Sequence, residues 1–184
     1  SRDHGARSTT RRQLAMVAGY LGLDEAARTA LLAPLCPPRV AHVCGHMFAA
    51  DSAAEARLRA EIERVLDEER IGFAYGALAC GADIVVAEAA LARGVELHAV
   101  LPFDEEDFIA QSVAPGGQDW LERYRACRAA AAAVTFASTM EYFGDPEQFG
   151  YASRMAMGLT RLRARHLGGE SVQLAVWDGV ASDG

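Results

Sequence analysis

The chain has 184 residues, is 51% hydrophobic and carries a formal charge of -7, which suits one domain of ordinary size with its own apolar core. Its 18 basic residues are all arginine and it contains no asparagine. That excludes a phosphate-loop lysine, a Schiff-base lysine, a Cys–His–Asn catalytic set and N-glycosylation acceptors.

The polar opening SRDHGARSTTRR has no apolar period, so residues 1–12 are expected to be disordered or foreign to the domain. The missing initiator methionine reads as a segment cut from a longer protein. Residues 13–38 read as a helical hairpin or linker. Leu14, Val17, Ala18 and Leu21 fall at helical spacing, Gly22 stops the first helix, Asp24 caps the second, and Pro34, Pro37 and Pro38 close it. Such a hairpin would suit a linker or a contact in a homo-oligomer.

Residues 39–184 form the main domain. Strands are expected near 39–44, 71–76, 95–101, 132–137 and 171–177, separated by helices. One of these carries Leu58, Ile62, Val65 and Leu66 on a single face. Gly94 is placed to end another, and the alanine run 129–133 reads as a helix passing into a strand. Alternating strands and helices specify a doubly wound α/β fold, Rossmann-like, with a mainly parallel five-stranded sheet covered on both faces.

In such sheets ligands bind beyond the carboxyl ends of the strands, where strand order reverses. The candidates at those exits are Gly45 and His46; Gly76, Gly81, Ala82 and Asp83; Pro102 and Phe103; Ser138 and Thr139; and Trp177 with Asp178. Gly76 and Gly81 would let the backbone approach a ligand closely, and the N–H groups of a helix starting at Ala82 would face an anion. Asp83 could meet a ribose hydroxyl or serve the helix dipole. Tyr151 and Arg154 share a helix face from which one could lean into the crevice.

Other residues have plainer readings. His42, inside the first strand, is expected to be a hydrogen-bonded core histidine, Cys80 a small buried residue and Trp177 core. Glu88 should face solvent or an arginine, and Asp104–Asp107 (DEED) should be an acidic first helical turn. Arg161, Arg163, Arg165 and His166 should be a solvated face at a helix end. Cys36, Cys44, Cys80 and Cys127 form no CxxC pair, so neither a metal site nor a required cofactor is expected. Acidic charge and scattered arginines oppose nucleic acid as a partner, and no apolar run is long enough for a membrane span, so a cytoplasmic protein is expected.

The stretches CGHMF, ACGAD, LHAVLPFDEEDFIAQSV and LAVWDG, taken with YGALACGADIVVAEAALARGVELHAVLP, resemble the SLOG superfamily over Arg39–Gly179. That superfamily groups DNA-processing proteins of natural transformation with LOG phosphoribohydrolases. The resemblance implies a bacterial, signalling-associated Rossmann-like domain that senses a nucleotide or nucleotide-derived molecule for an attached or associated effector. The rival implication is an N-glycosidic hydrolase of nucleoside monophosphates, with Glu88 or Asp83 assisting the departing base. Against it, PGGQDWLE at Pro115–Glu122 lacks the Gly-Thr of the LOG pattern PGGxGTxxE, so no catalytic residue is assigned. A structural interaction module without a ligand is the third reading.

Overall fold

The computed structural model describes residues 2–47 and 52–177. Five strands, β1 (Arg39–Gly45), β2 (Ile71–Gly76), β3 (Glu96–Leu101), β4 (Ala133–Phe136) and β5 (Ser171–Val176), pair in the order β4-β3-β2-β1-β5. Every pairing is parallel, so the exits of all five strands lie at one end of the sheet. The expected α/β architecture is therefore present.

Helices cover both faces. On one lie α3 (Ser52–Glu68), α4 (Ala82–Ala92), the short α5 (Glu105–Phe108) and α6 (Gln118–Ala130); on the other lies α7 (Glu147–Leu167). The first face is the larger core. It gathers Ala41, Val43, Leu97, Ala99 and Leu101 from the strands with Ile62 and Leu66 of α3. Helix α4 is apolar nearly all round, with Ala82–Ala87, Ala89 and Ala90 buried, because it is enclosed by the sheet, α3 and α6. The second core joins Val40, Phe73, Tyr75 and Val100 to Ala156, Ala164 and Leu167 of α7.

The local signals work as expected at several ends. Gly94, at φ +70°, follows α4, and Gly168, at φ +67°, caps α7. Asp104 caps α5 by accepting from the Glu106 N–H at 2.9 Å, so DEED is the acidic start of that helix. From there to α6 the chain runs through one π turn, Ile109–Val113, and one 3₁₀ turn, Ala114–Gly116. Gly117 then precedes α6, and Glu122 lies on that helix paired with Gln118.

The start of the chain differs from expectation. Residues 2–20 form a single helix, α1 (Arg2–Tyr20), which turns at Gly22 into α2 (Glu25–Leu32), capped by Asp24. Tertiary contacts hold α1 where its own pattern is weak. Ser8 is buried beside the His166 carbonyl, Arg11 Nη1 donates to the Gly168 carbonyl at 2.8 Å, and the His4 ring meets Phe73 edge-on. Helix α1 thus satisfies carbonyls left over at the end of α7. Among the described residues no helix is long and apolar enough to cross a membrane.

One ionic cluster ties three helices together. Arg123 of α6 reaches Glu55 of α3 and Glu88 of α4, both at 2.8 Å, while Arg59 also binds Glu88. The Arg123 guanidinium lies 4.0 Å above the Trp120 ring. Burial pushes the Glu88 carboxyl upward, but hydrogen bonds from Arg123 and Arg59 outweigh it and hold the pKa below the ordinary value. Arg123→Met is therefore expected to cost about 1–2 kcal/mol at neutral pH, less than a fully buried pair would, since its partners are partly exposed. Because Glu88 is depressed, that stability is complete above the ordinary carboxylate range and is lost as pH falls through the folded value. Urea unfolding of both proteins across that range checks it; a pH-independent difference would mean packing alone is involved.

Candidate functional site

A cleft of about 240 Å³ opens over the exits of β1 and β2, roofed by α7. One wall is His42–Gly45 of β1 with Gly76 and Ala77 after β2; Ala79 and Asp83 of the glycine turn form another. Helix α7 contributes Phe149, Ala152, Ser153 and Ala156, which fall at positions i, i+3, i+4 and i+7 and so share one helical face. Two predicted residues, Tyr151 and Arg154, miss that face. Tyr151 is 54% exposed, and Arg154 pairs with Glu147 at 3.2 Å.

The cleft does not occupy the gap between β1 and β5, where strand order reverses. That gap is closed by packing. A Cβ on Gly45 would come within 2.4 Å of Ala82 Cβ and 3.1 Å of Val176 Cβ. A Cβ on Gly76 would meet the Val43 carbonyl oxygen at 2.6 Å. Both glycines line the cleft, and in both cases close approach of the protein's own chain already demands glycine. Gly81, at φ +94° and ψ -129°, holds a backbone conformation that only glycine adopts readily.

Three donors of the turn are used internally. The Ala79 N–H donates to Asp83 Oδ2 at 3.3 Å, the Cys80 N–H to the Ser112 carbonyl at 2.8 Å, and the Ala82 N–H to the His46 carbonyl at 3.3 Å. The His46 N–H in turn donates to the Val176 carbonyl. This backbone ties α4 to β1 and β5, which leaves less of it to cradle an anion than the glycine pattern implied.

The polar groups in the cleft are Asp83, His42 and Ser153. Asp83 is 7% exposed; its Oδ1 is buried without a hydrogen-bond partner among the described residues, and burial pushes its carboxyl up to about 7 despite the Ala79 bond. His42 is 3% exposed, with Nε2 3.4 Å from Ser153 Oγ and Nδ1 unpartnered among the described residues. Burial lowers its pKa, so the imidazole is held neutral. His42 is thus a hydrogen-bonded core histidine that also lines the cleft, a role its place inside a strand did not reveal. Ser153 was missed altogether. The three do not form a hydrolytic triad, which needs a carboxylate on His Nδ1: both His42 Nδ1 and Asp83 Oδ1 are without partners among the described residues.

The remaining candidates lie elsewhere. Ser138 and Thr139 follow β4, at the far edge of the sheet beyond β3, where Ser138 Oγ accepts from the Met140 N–H at 3.0 Å. Pro102 lines the cleft, whereas Phe103 is fully buried among Phe108, Tyr142 and Phe149. Trp177 is 63% exposed rather than core, because β5 is an edge strand; Asp178 lies outside the described residues. Cys80 is buried, and burial raises its thiol pKa. Arg163 is partly buried rather than on an open face: it binds Glu96 at 3.0 Å and lies 4.5 Å over the Phe73 ring.

No protein-family model matches the chain, and no curated protein matches it. Among solved structures it is similar to DNA processing protein A (DprA) from Streptococcus pneumoniae, at 16% identity and a TM-score of 0.32. The likeness covers 79% of this chain and 52% of that one, so the chain spans about half the length of that protein. Likeness at this level bears on neither the site nor its ligand.

Proposed function

We propose that this chain is a cytoplasmic ligand-binding sensor domain that recognises a nucleotide or nucleotide-derived small molecule and passes its occupancy to an attached or associated effector. The observation that carries the reading is the cleft itself. It lies at the strand exits and is lined mostly by apolar side chains, and two buried polar side chains there each keep an atom unpartnered. Unpartnered buried polar atoms cost about 1–3 kcal/mol each, a cost that a ligand bonding to them would relieve. The nucleotide class comes from the resemblance of the glycine turn and following strand to the SLOG superfamily.

A hydrolase has less to work with. Of the two carboxylates expected to assist a departing base, Asp83 alone lines the cleft; Glu88 is held between Arg59 and Arg123, and Glu122 lies on α6 outside it. Isothermal calorimetry and thermal shift with the four common ribonucleosides and their 5′-monophosphates test the proposal. At least one is expected to bind, and Ala79→Phe, which fills the cleft mouth, is expected to abolish that binding at matched circular dichroism. Failure of the whole panel to bind, or unchanged binding by folded Ala79→Phe, would remove the cleft as the site. The monophosphates should release no free base above background, and release that tracks the protein would replace the sensor with an enzyme.

A further inference from the structure

We infer that the cleft receives an uncharged heterocycle of nucleobase size and that any phosphate on the same ligand stays outside it. This rests on the cleft being the ligand site and goes beyond it, because it assigns which part of the molecule enters. The first ground is charge. The cleft lining contains no arginine among the described residues. Burial lowers the His42 pKa, which disfavours the imidazolium there. A phosphate in the cleft would meet a buried carboxyl with no opposing charge, and anions are taken from water only against cations or a set of free donors.

The second ground is the use of the turn's backbone. The N–H groups of Ala79, Cys80 and Ala82 are bonded inside the protein, so fewer donors of this turn and helix start are left to hold a phosphate. The third is the pairing pattern on offer. Asp83 can donate as a neutral acid or accept as a carboxylate. A neutral imidazole whose Nε2 is engaged by Ser153 leaves Nδ1 for the opposite role. An edge carrying both a ring nitrogen acceptor and an N–H donor, as nucleobases do, complements those groups. Val43, Val100, Phe108 and Phe149 supply apolar surface for its ring. At about 240 Å³ the cleft is smaller than the roughly 300–1,000 Å³ of sites that enclose drug-sized ligands, and it suits a base or nucleoside better than a dinucleotide.

Binding should also follow the charge on Asp83. The titratable groups around it are His42 and Cys44 in the cleft and Cys80 in the same turn. Among the charged residues of the helices against α4, Arg59 and Arg123 are engaged with Glu88, and Glu55 with Arg123. The test is calorimetry of free adenine and guanine, their ribonucleosides and their 5′-monophosphates at low and high salt, with wild type and Asp83→Asn. For the best-binding base, the nucleoside is expected to bind within about threefold of its monophosphate, with little salt dependence. Its affinity should change as pH rises through about 7 in wild type, where Asp83 titrates, and that change should be absent in Asp83→Asn. A monophosphate that binds at least about tenfold tighter than its nucleoside, and loses that advantage in salt, would overturn the inference while leaving the cleft as a ligand site. If nothing in the set binds, both readings fall together.

Discussion

Asp83→Asn is expected to stabilise the protein by up to about 4 kcal/mol near pH 8 and to leave it nearly unchanged near pH 4. The carboxyl is buried in the first turn of α4, its single bond comes from the Ala79 N–H, and its pKa is pushed up to about 7. The folded state therefore keeps a proton that the unfolded chain releases in the ordinary carboxylate range. Between those two values the folded state binds more protons, so stability falls as pH rises and levels off once Asp83 ionises in both states. Asparagine keeps the shape and the bond from Ala79 and removes the titration. Chemical denaturation of both proteins across pH isolates this residue, because contributions from other carboxylates cancel in the difference. Two curves displaced equally at every pH would show that Asp83 titrates normally and that its burial is not as described.

Gly45→Val is expected to cost about 3 kcal/mol or more, and Gly45→Ala somewhat less, because there is no room for a side chain between β1, β5 and the start of α4. The first added carbon would fall 2.4 Å from Ala82 Cβ, well inside contact distance, and both neighbours are held by backbone bonds through His46. Relief requires moving α4 away from the sheet, which would also disturb the Asp83 wall of the cleft. A control comes from Gly158 within α7, where an added Cβ meets nothing within 4 Å. Gly158→Ala is expected to gain about 0.5–1 kcal/mol from helix propensity alone. The comparison is read from urea midpoints. A Gly45→Ala protein as stable as wild type would mean that the β1 exit is looser than this packing requires.

Much of this molecule was legible in its sequence because the signals are local. Apolar periodicity set the strands and helices, Asp24 marked a cap, Asp104–Asp107 an acidic helix start, and Gly22 and Gly94 marked ends, each through its own backbone geometry or first-turn bond. The rule that ligands meet parallel strands at their exits brought Gly45, Gly76, Asp83 and Pro102 to one cleft. What the tertiary structure alone decided depends on partners far away in the chain. Strand order put Ser138 and Thr139 at the far edge and exposed Trp177, since periodicity says nothing about which strand lies beside which. Helix α1 exists against α7, whose last carbonyls its polar residues satisfy, so its own pattern could not announce it. Arg163 is drawn partly out of solvent because Glu96 and Phe73 meet it there. The sequence of the glycine turn shows its glycines but not the carbonyls of His46 and Ser112 that take up two of its N–H groups. Burial and hydrogen-bond satisfaction are properties of the folded surroundings, and they turned a charged-looking aspartate and a core histidine into the polar floor of an otherwise apolar cleft.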